Sequence, residues 1–403
     1  MGNADSRWDA VRRRADRERL QAVGELRTRS DFWPQFEYFL ERLLESPSDT
    51  KARIGRPLIA LLCIQSPLEI FHALGVMPYR VFSASHAHGL AAAPMLPALA
   101  CPLLRSTLGA LGAGGKGDDI SGWVLPATCD WVVKFPEMAV LAGVGEPENV
   151  HWLELPHLKD SPESQARWGD EVRRIVAHLE RLTGRTLSAA ALSGSMDAYQ
   201  NAWRMFSRLI DARRFGTVPA VWFTVIANAF YRDTPELWTS AVEAALPFFD
   251  KVAAGGKRVF LAGSPVFFPN YKLPLLVEDA GLTVTADDLC SSERIFPGAA
   301  HYRDPSLPGL LNALAERYHQ GCLCPTFADN QRRPATIIGQ REYFDGVVFQ
   351  VLKGCHPYDL ESFTLEKTLK ERGIRFLRLE TDYAAEDRQN ILTRLEAFRA
   401  SLQ

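Results

Sequence analysis

The 403 residues are 47% apolar and 23% charged, the balance of an ordinary globular chain, which excludes bulk disorder and collagen-like repeats. Lys and Arg total 46 against 48 Asp and Glu, a formal net charge of -2, so no global basic field exists to hold nucleic acid or an anionic membrane. Seven cysteines, an odd number, argue against a disulfide framework and leave thiols that pack, react or bind metal.

The N-terminus (MGNADSRWDAVRRRADRERL) is charged and lacks the apolar centre of a secretory signal. Met1-Gly2 meets the first requirement for myristoylation, but Ser6 runs into Arg7 and Trp8 in a segment that reads as helix, which argues against lipidation. Residues 1–50 form an N-terminal helical segment in which Phe32, Trp33, Phe36, Phe39, Leu40 and Leu43 recur at helical spacing. That face either packs on the body, the simpler account, or docks a partner. No run reaches the roughly 18 apolar residues of a membrane span. A cytoplasmic protein without membrane contact is expected.

The run 57–64 (PLIALLCI) reads as a buried strand, followed by a helix to Ala73 that Gly75 stops. Strands are predicted at 79–82, 122–128 and 150–155, with helices at 131–141 and 163–182. Residues 51–195 thus read as a first α/β domain and 196–250 as a helical connector. In a second α/β domain, 251–403, strands at 257–262, 282–285, 345–352 and 374–379 alternate with helices at 273–280, 361–372 and 385–402. The predicted architecture is two doubly wound, Rossmann-like parallel-sheet domains.

Ligands of open parallel sheets bind beyond the carboxyl ends of the strands. Cys63 lies at the end of the first apolar run, Cys129 follows 122–128, and Cys355 follows 345–352 by way of Lys353 and Gly354. Cys101 sits in a proline-flanked loop just before a predicted helix, where backbone amides favour a thiolate. Any one cysteine is readily explained as packing. Together, Cys101, Cys129 and Cys355 lie outside strands on two domains, which points to an interdomain cleft.

These segments carry a resemblance. CPLLRS (101–106), TCD (128–130) and LKGCHPY (352–358) resemble the D-component family of 2-hydroxyacyl-CoA dehydratases, which includes iron–sulfur subunits of ATP-dependent benzoyl-CoA reductases and the double-cubane cluster reductases. SPLEIFHALG (66–75), RVFLAGSP (258–265) and GIRFLRLETDY (373–383) fit the same family, in its order, over roughly residues 55–400.

The resemblance implies a [4Fe-4S] cluster on Cys101, Cys129 and Cys355, with one iron left open for Lewis-acid as well as electron-transfer work. It implies an acyl-CoA substrate, an ATP-hydrolysing activator protein, and as partner a homologous iron–sulfur subunit or a second copy of the chain. Glu69 matches an acidic family position and would transfer or orient a proton; Leu68 stands where the family usually has a first acid, which weakens a two-acid role. A surface helix carboxylate is the plain alternative for Glu69. Ser106 and the backbone amides of Gly263 and Ser264 would hydrogen-bond cluster sulfurs or a thioester oxygen. Lys353, Gly354 and His356 would tune Cys355. Cys63, Cys322 and Cys324 are candidates for a second cluster, giving an [8Fe-9S] double cubane, while packing explains Cys63 and Cys290 equally well.

Other motifs are missing. In the glycine-rich stretch 109–117, the first P-loop glycine is absent and Gly117 replaces the Mg²⁺-binding Ser/Thr, so an ATP site is rejected in favour of a solvent loop. His86 and His88 read as a solvated pair. Three functions remain: an acyl-CoA reductase or dehydratase subunit, a homodimeric double-cubane reductase of small molecules, and a non-catalytic structural subunit.

Overall fold

The computed structural model describes residues 2–114, 119–142, 148–250, 255–296, 298–321, 323–328 and 330–402, with 2–7 described by backbone alone. Among the described residues the apolar runs become eight strands: β1 (Leu58–Leu61), β2 (Met77–Arg80), β3 (Ile120–Pro126), β4 (Val150–Leu153), β5 (Lys257–Gly263), β6 (Leu282–Asp287), β7 (Gly346–Leu352) and β8 (Arg375–Thr381). They form two four-stranded sheets, ordered β2-β1-β3-β4 and β6-β5-β7-β8. Every pairing is parallel. Central β1 and β7 are buried along their whole length, as a sheet covered on both faces requires, whereas the outer β4 and β8 carry exposed residues. This is the expected α/β architecture with two parallel-sheet units.

Both sheets are wound alike. The chain leaves β1 for β2 on one side and returns to β3 on the other; β5, β6 and β7 repeat the move. Each reversal opens a crevice at the carboxyl ends of the two central strands, β1 and β3 in one sheet, β5 and β7 in the other.

The helices depart from expectation in informative places. The helix expected over 131–141 is two, Asp130–Val133 and Phe135–Leu141, because Pro136 lacks the amide proton that would continue the ladder. The helix expected over 361–372 starts at His356, directly after Cys355. His86 and His88 are not in a solvated loop: they open the helix His86–Ala92, capped by Ser85. The His88 ring meets the Ser83 hydroxyl at 3.1 Å, and burial depresses its pKa to about 4. Two further helices, Leu307–Gly321 and Arg332–Gly339, stand where no element was predicted.

Between the sheets in sequence, α-helices span Pro162–Thr183, Ala189–Arg214, Ala220–Ala229 and Pro235–Phe249 among the described residues. Ala220–Ala229 is apolar nearly all round, and each of its residues is buried. The N-terminal aromatics pack on this block: Phe36 lies 4.6 Å from Trp222 and 5.3 Å from Phe249 between ring centroids. The greasy N-terminal face therefore belongs to the core. Among the described residues no helix is long and apolar enough to cross a membrane. Lys116 and Gly117 of the rejected phosphate loop lie outside the described residues.

Candidate metal centre

Cys101, Cys129 and Cys355 each occupy the position immediately before the first turn of a helix: Pro102–Ala113, Asp130–Val133 and His356–Glu371. First-turn amides have no partner within their own helix and carry partial positive charge. Here the amides of Leu103 and Leu104 face the Cys101 sulfur, those of Trp131 and Val132 face Cys129, and that of Tyr358 faces Cys355, each without closing to a full hydrogen bond. Such surroundings suit a sulfur that carries negative charge.

The three thiols belong to one apolar cluster walled by Leu103, Leu352, Phe267 and Tyr383. The sulfurs of Cys101 and Cys355 sit against each other. Cys101 is held below the usual thiol range by Cys355, with the Leu103 and Leu104 amides and Arg105 assisting, while Cys355 is pushed well above it by Cys101 and by burial. Cys129 is raised by burial and by the nearby charge of Cys101. The contact depends on Gly354, whose φ is +76°; a Cβ there would lie 2.2 Å from the Leu99 carbonyl oxygen. Only glycine lets the loop after β7 lie against the loop before Cys101.

Gly263 and Ser264 end β5 differently from expectation. Gly263 (φ +103°) has its Cα against β7, where a Cβ would fall 2.0 Å from the Gln350 oxygen. The Ser264 amide donates to the Gln350 carbonyl at 2.7 Å and is therefore committed. The Ser264 hydroxyl accepts from the Leu352 amide at 3.0 Å and turns toward Cys355, lowering that thiol's pKa. Its route to the sulfur is the side chain, not the amide.

A second group of thiols lies beside the first. Cys63 follows β1 and Cys290 follows β6, while Cys324 comes from the 323–328 loop; Cys63 feels the charge of both others, and Cys324 that of Cys290. Burial pushes Cys63 up to about 12. Tyr358 joins the two groups, its amide facing Cys355 and its hydroxyl near Cys290 and Cys324. The loops also touch where the Thr326 hydroxyl donates to the Thr128 carbonyl at 2.9 Å. Cys322 lies outside the described residues.

The two candidate catalytic side chains point elsewhere. Glu69 is 1% exposed. Its Oε1 meets Arg317 at 3.0 Å and its Oε2 accepts from the Tyr318 hydroxyl at 2.9 Å, so it is a buried, paired acid and not a surface carboxylate. Ser106 donates to the Ser85 carbonyl at 2.9 Å and ties its helix to the start of the preceding one, His86–Ala92. Cys290, Arg317 and Tyr318 were not singled out by sequence as site residues. Cys290 could have been, since it stands just beyond a strand end like Cys63, Cys129 and Cys355.

Among the described residues no three Cys, His, Asp or Glu side chains close around a single metal ion. A four-iron cube presents its irons at separate corners, so its thiolates stand around it rather than meeting at one point. One buried and two half-buried thiols on three loops, set against apolar walls with amide N–H groups behind them, fit such a group better than a lone ion.

Residues 63–402 match the family model described as 2-hydroxyglutaryl-CoA dehydratase, D-component. The chain is 25% identical over 368 residues to YjiM of Escherichia coli (strain K12), provisionally named a dehydratase subunit, covering 87% of this chain and 92% of that one. It is 22% identical to the (R)-phenyllactyl-CoA dehydratase beta subunit of Clostridium sporogenes, covering 86% and 92%. It is also 22% identical to a benzoyl-CoA reductase subunit of Thauera aromatica, covering 80% and 85%.

Proposed function

The chain belongs to the 2-hydroxyglutaryl-CoA dehydratase D-component family, and from that premise we propose that it is the iron–sulfur subunit of an ATP-activated, low-potential reductase or dehydratase acting on an acyl-CoA thioester. The observation that carries the reading is the gathering of Cys101, Cys129 and Cys355 at three helix starts in one apolar cluster. A [4Fe-4S] cluster held by three thiolates supplies a low-potential electron and an open iron for the thioester.

The chain's own residues prepare that site. Three thiols supply the ligands, and first-turn amides with Arg105 stabilise their negative charge. The Ser264 hydroxyl orients Cys355, and apolar walls flank the sulfurs. Glu69 serves this site from a distance by fixing Arg317 and Tyr318. The partners are a homologous subunit or a second copy, and a separate ATP-hydrolysing activator in the cytoplasm.

Anaerobically purified protein is expected to be brown and to carry about four irons per chain on this reading. Cys129→Ala should lose that iron and the activity of the complex. If the variant keeps both, the cysteines are vestigial and the chain is a structural subunit.

A second reading, a homodimeric double-cubane reductase of small molecules, is favoured by one observation: Cys63, Cys290 and Cys324 form a group adjoining the first. It requires about eight irons per chain.

A further inference from the structure

Two arginines reach the second thiol group without any carboxylate to neutralise them. Arg80, on β2, is 5% exposed. Its Nη1 donates to the Cys290 carbonyl at 2.6 Å, its Nη2 lies 3.6 Å from the Cys290 sulfur, and its Nε is buried without an acceptor. The faces of Phe267, Phe82 and Tyr231 lie 4.7, 5.1 and 5.4 Å away, which offers π density but no full charge.

Arg294 is 7% exposed. Its Nη2 donates to the Tyr358 hydroxyl at 2.7 Å, while Nε and Nη1 are buried without acceptors. The acid it feels, Asp288, has both oxygens taken by Arg333, which also pairs with Glu361. Among the described residues, neither Arg80 nor Arg294 has an ion-pair partner. A buried guanidinium with idle donors is strongly unfavourable unless an anion completes the site. Neutral thiols do not supply that charge; thiolates bound to metal do.

We propose that Arg80 and Arg294 are the fixed counter-charges of an anionic iron–sulfur group bound by Cys63, Cys290 and Cys324, acting as positioning residues that secure its retention and raise its reduction potential. The inference rests on the second reading above. Positive charge beside a cluster favours the reduced form, which carries one more negative charge.

The test uses the full chain, reconstituted anaerobically with ferrous iron and sulfide, with iron per chain and the redox titration of each cluster signal as readouts. Arg294→Met is expected to drop the iron content to about half of wild type, or, where loading persists, to move one potential to a more negative value. Arg294→Lys, which keeps the charge, should recover most of the loss. Arg80→Gln, on a different element, should act in the same direction and guards against a local folding failure at 294. If both neutral variants hold the wild-type iron at wild-type potentials, the arginine role is overturned and the second cluster stands. If wild-type protein stops at about four irons, the second reading falls and this inference with it, leaving the single-cluster reading intact.

Discussion

The two thiol groups are adjoining yet are prepared by different physics. Cys101, Cys129 and Cys355 stand before helices, and backbone amides face their sulfurs. Cys63, Cys290 and Cys324 have no such helix starts; loop amides still face two of them, Gln65 N–H donating to the Cys63 sulfur at 3.4 Å, but the charge beside this group comes chiefly from the Arg80 and Arg294 side chains. Backbone dipoles are built into the fold and survive most substitutions. Guanidinium charge is removable one residue at a time, so the second group is the easier of the two to take apart by substitution.

The largest expected effect sharpens this contrast. Cys101→Ala should abolish the iron chromophore of the first group, and Cys63→Ala should spare it while removing only iron held by the second. Iron analysis beside the visible spectrum distinguishes them; equal losses from both variants would make the two groups one cooperative site.

Next in size is Glu69. Glu69→Gln leaves Arg317 buried without its counter-charge and should cost about 3–5 kcal/mol of stability in urea titration. A variant that keeps wild-type stability and loses only turnover would restore Glu69 as a proton-transfer group. Gly354→Ala comes third. A left-handed backbone costs an alanine about 1–2 kcal/mol, and the clash with Leu99 should also open the Cys101–Cys355 contact. Iron at the first group should weaken while the second is unaffected.

The smallest effect lies in neither group. His178, 8% exposed, is depressed to about 4 by burial, with neighbouring His151 and Arg181 adding to the shift. Its folded pKa is below the ordinary 6.5, so the unfolded chain binds the proton more readily. Stability is complete above pH 6.5 and declines as pH falls toward about 4, by roughly 1–3 kcal/mol. His178→Phe should flatten that part of the acid limb; an unchanged slope would assign it to His88 and other groups.

The strands were legible because each is a short apolar run bounded by glycine, proline or polar residues, and the strand-end rule located Cys129 and Cys355. Less legible was anything made by partners remote in sequence. Glu69 looks like a free acid until Tyr318, 249 positions away, arrives from an unpredicted helix. The polar end of that helix, Arg317 to His319, masked a periodicity carried by Leu310, Leu311 and Leu314, all buried. Likewise, the strand end at Gly263 and Ser264 suggested open amides, but the sheet partner Gln350 already occupies the Ser264 amide. Local pattern shows where the chain can present a donor, and tertiary pairing decides whether the donor is still free.

Anomalous scattering at the iron edge, from anaerobically grown crystals of the full chain, tests the central claim directly. The account predicts iron density bounded by the sulfurs of Cys101, Cys129 and Cys355, with a loop of each sheet contributing. Iron located elsewhere, or three thiols with no iron between them in brown crystals, would contradict it.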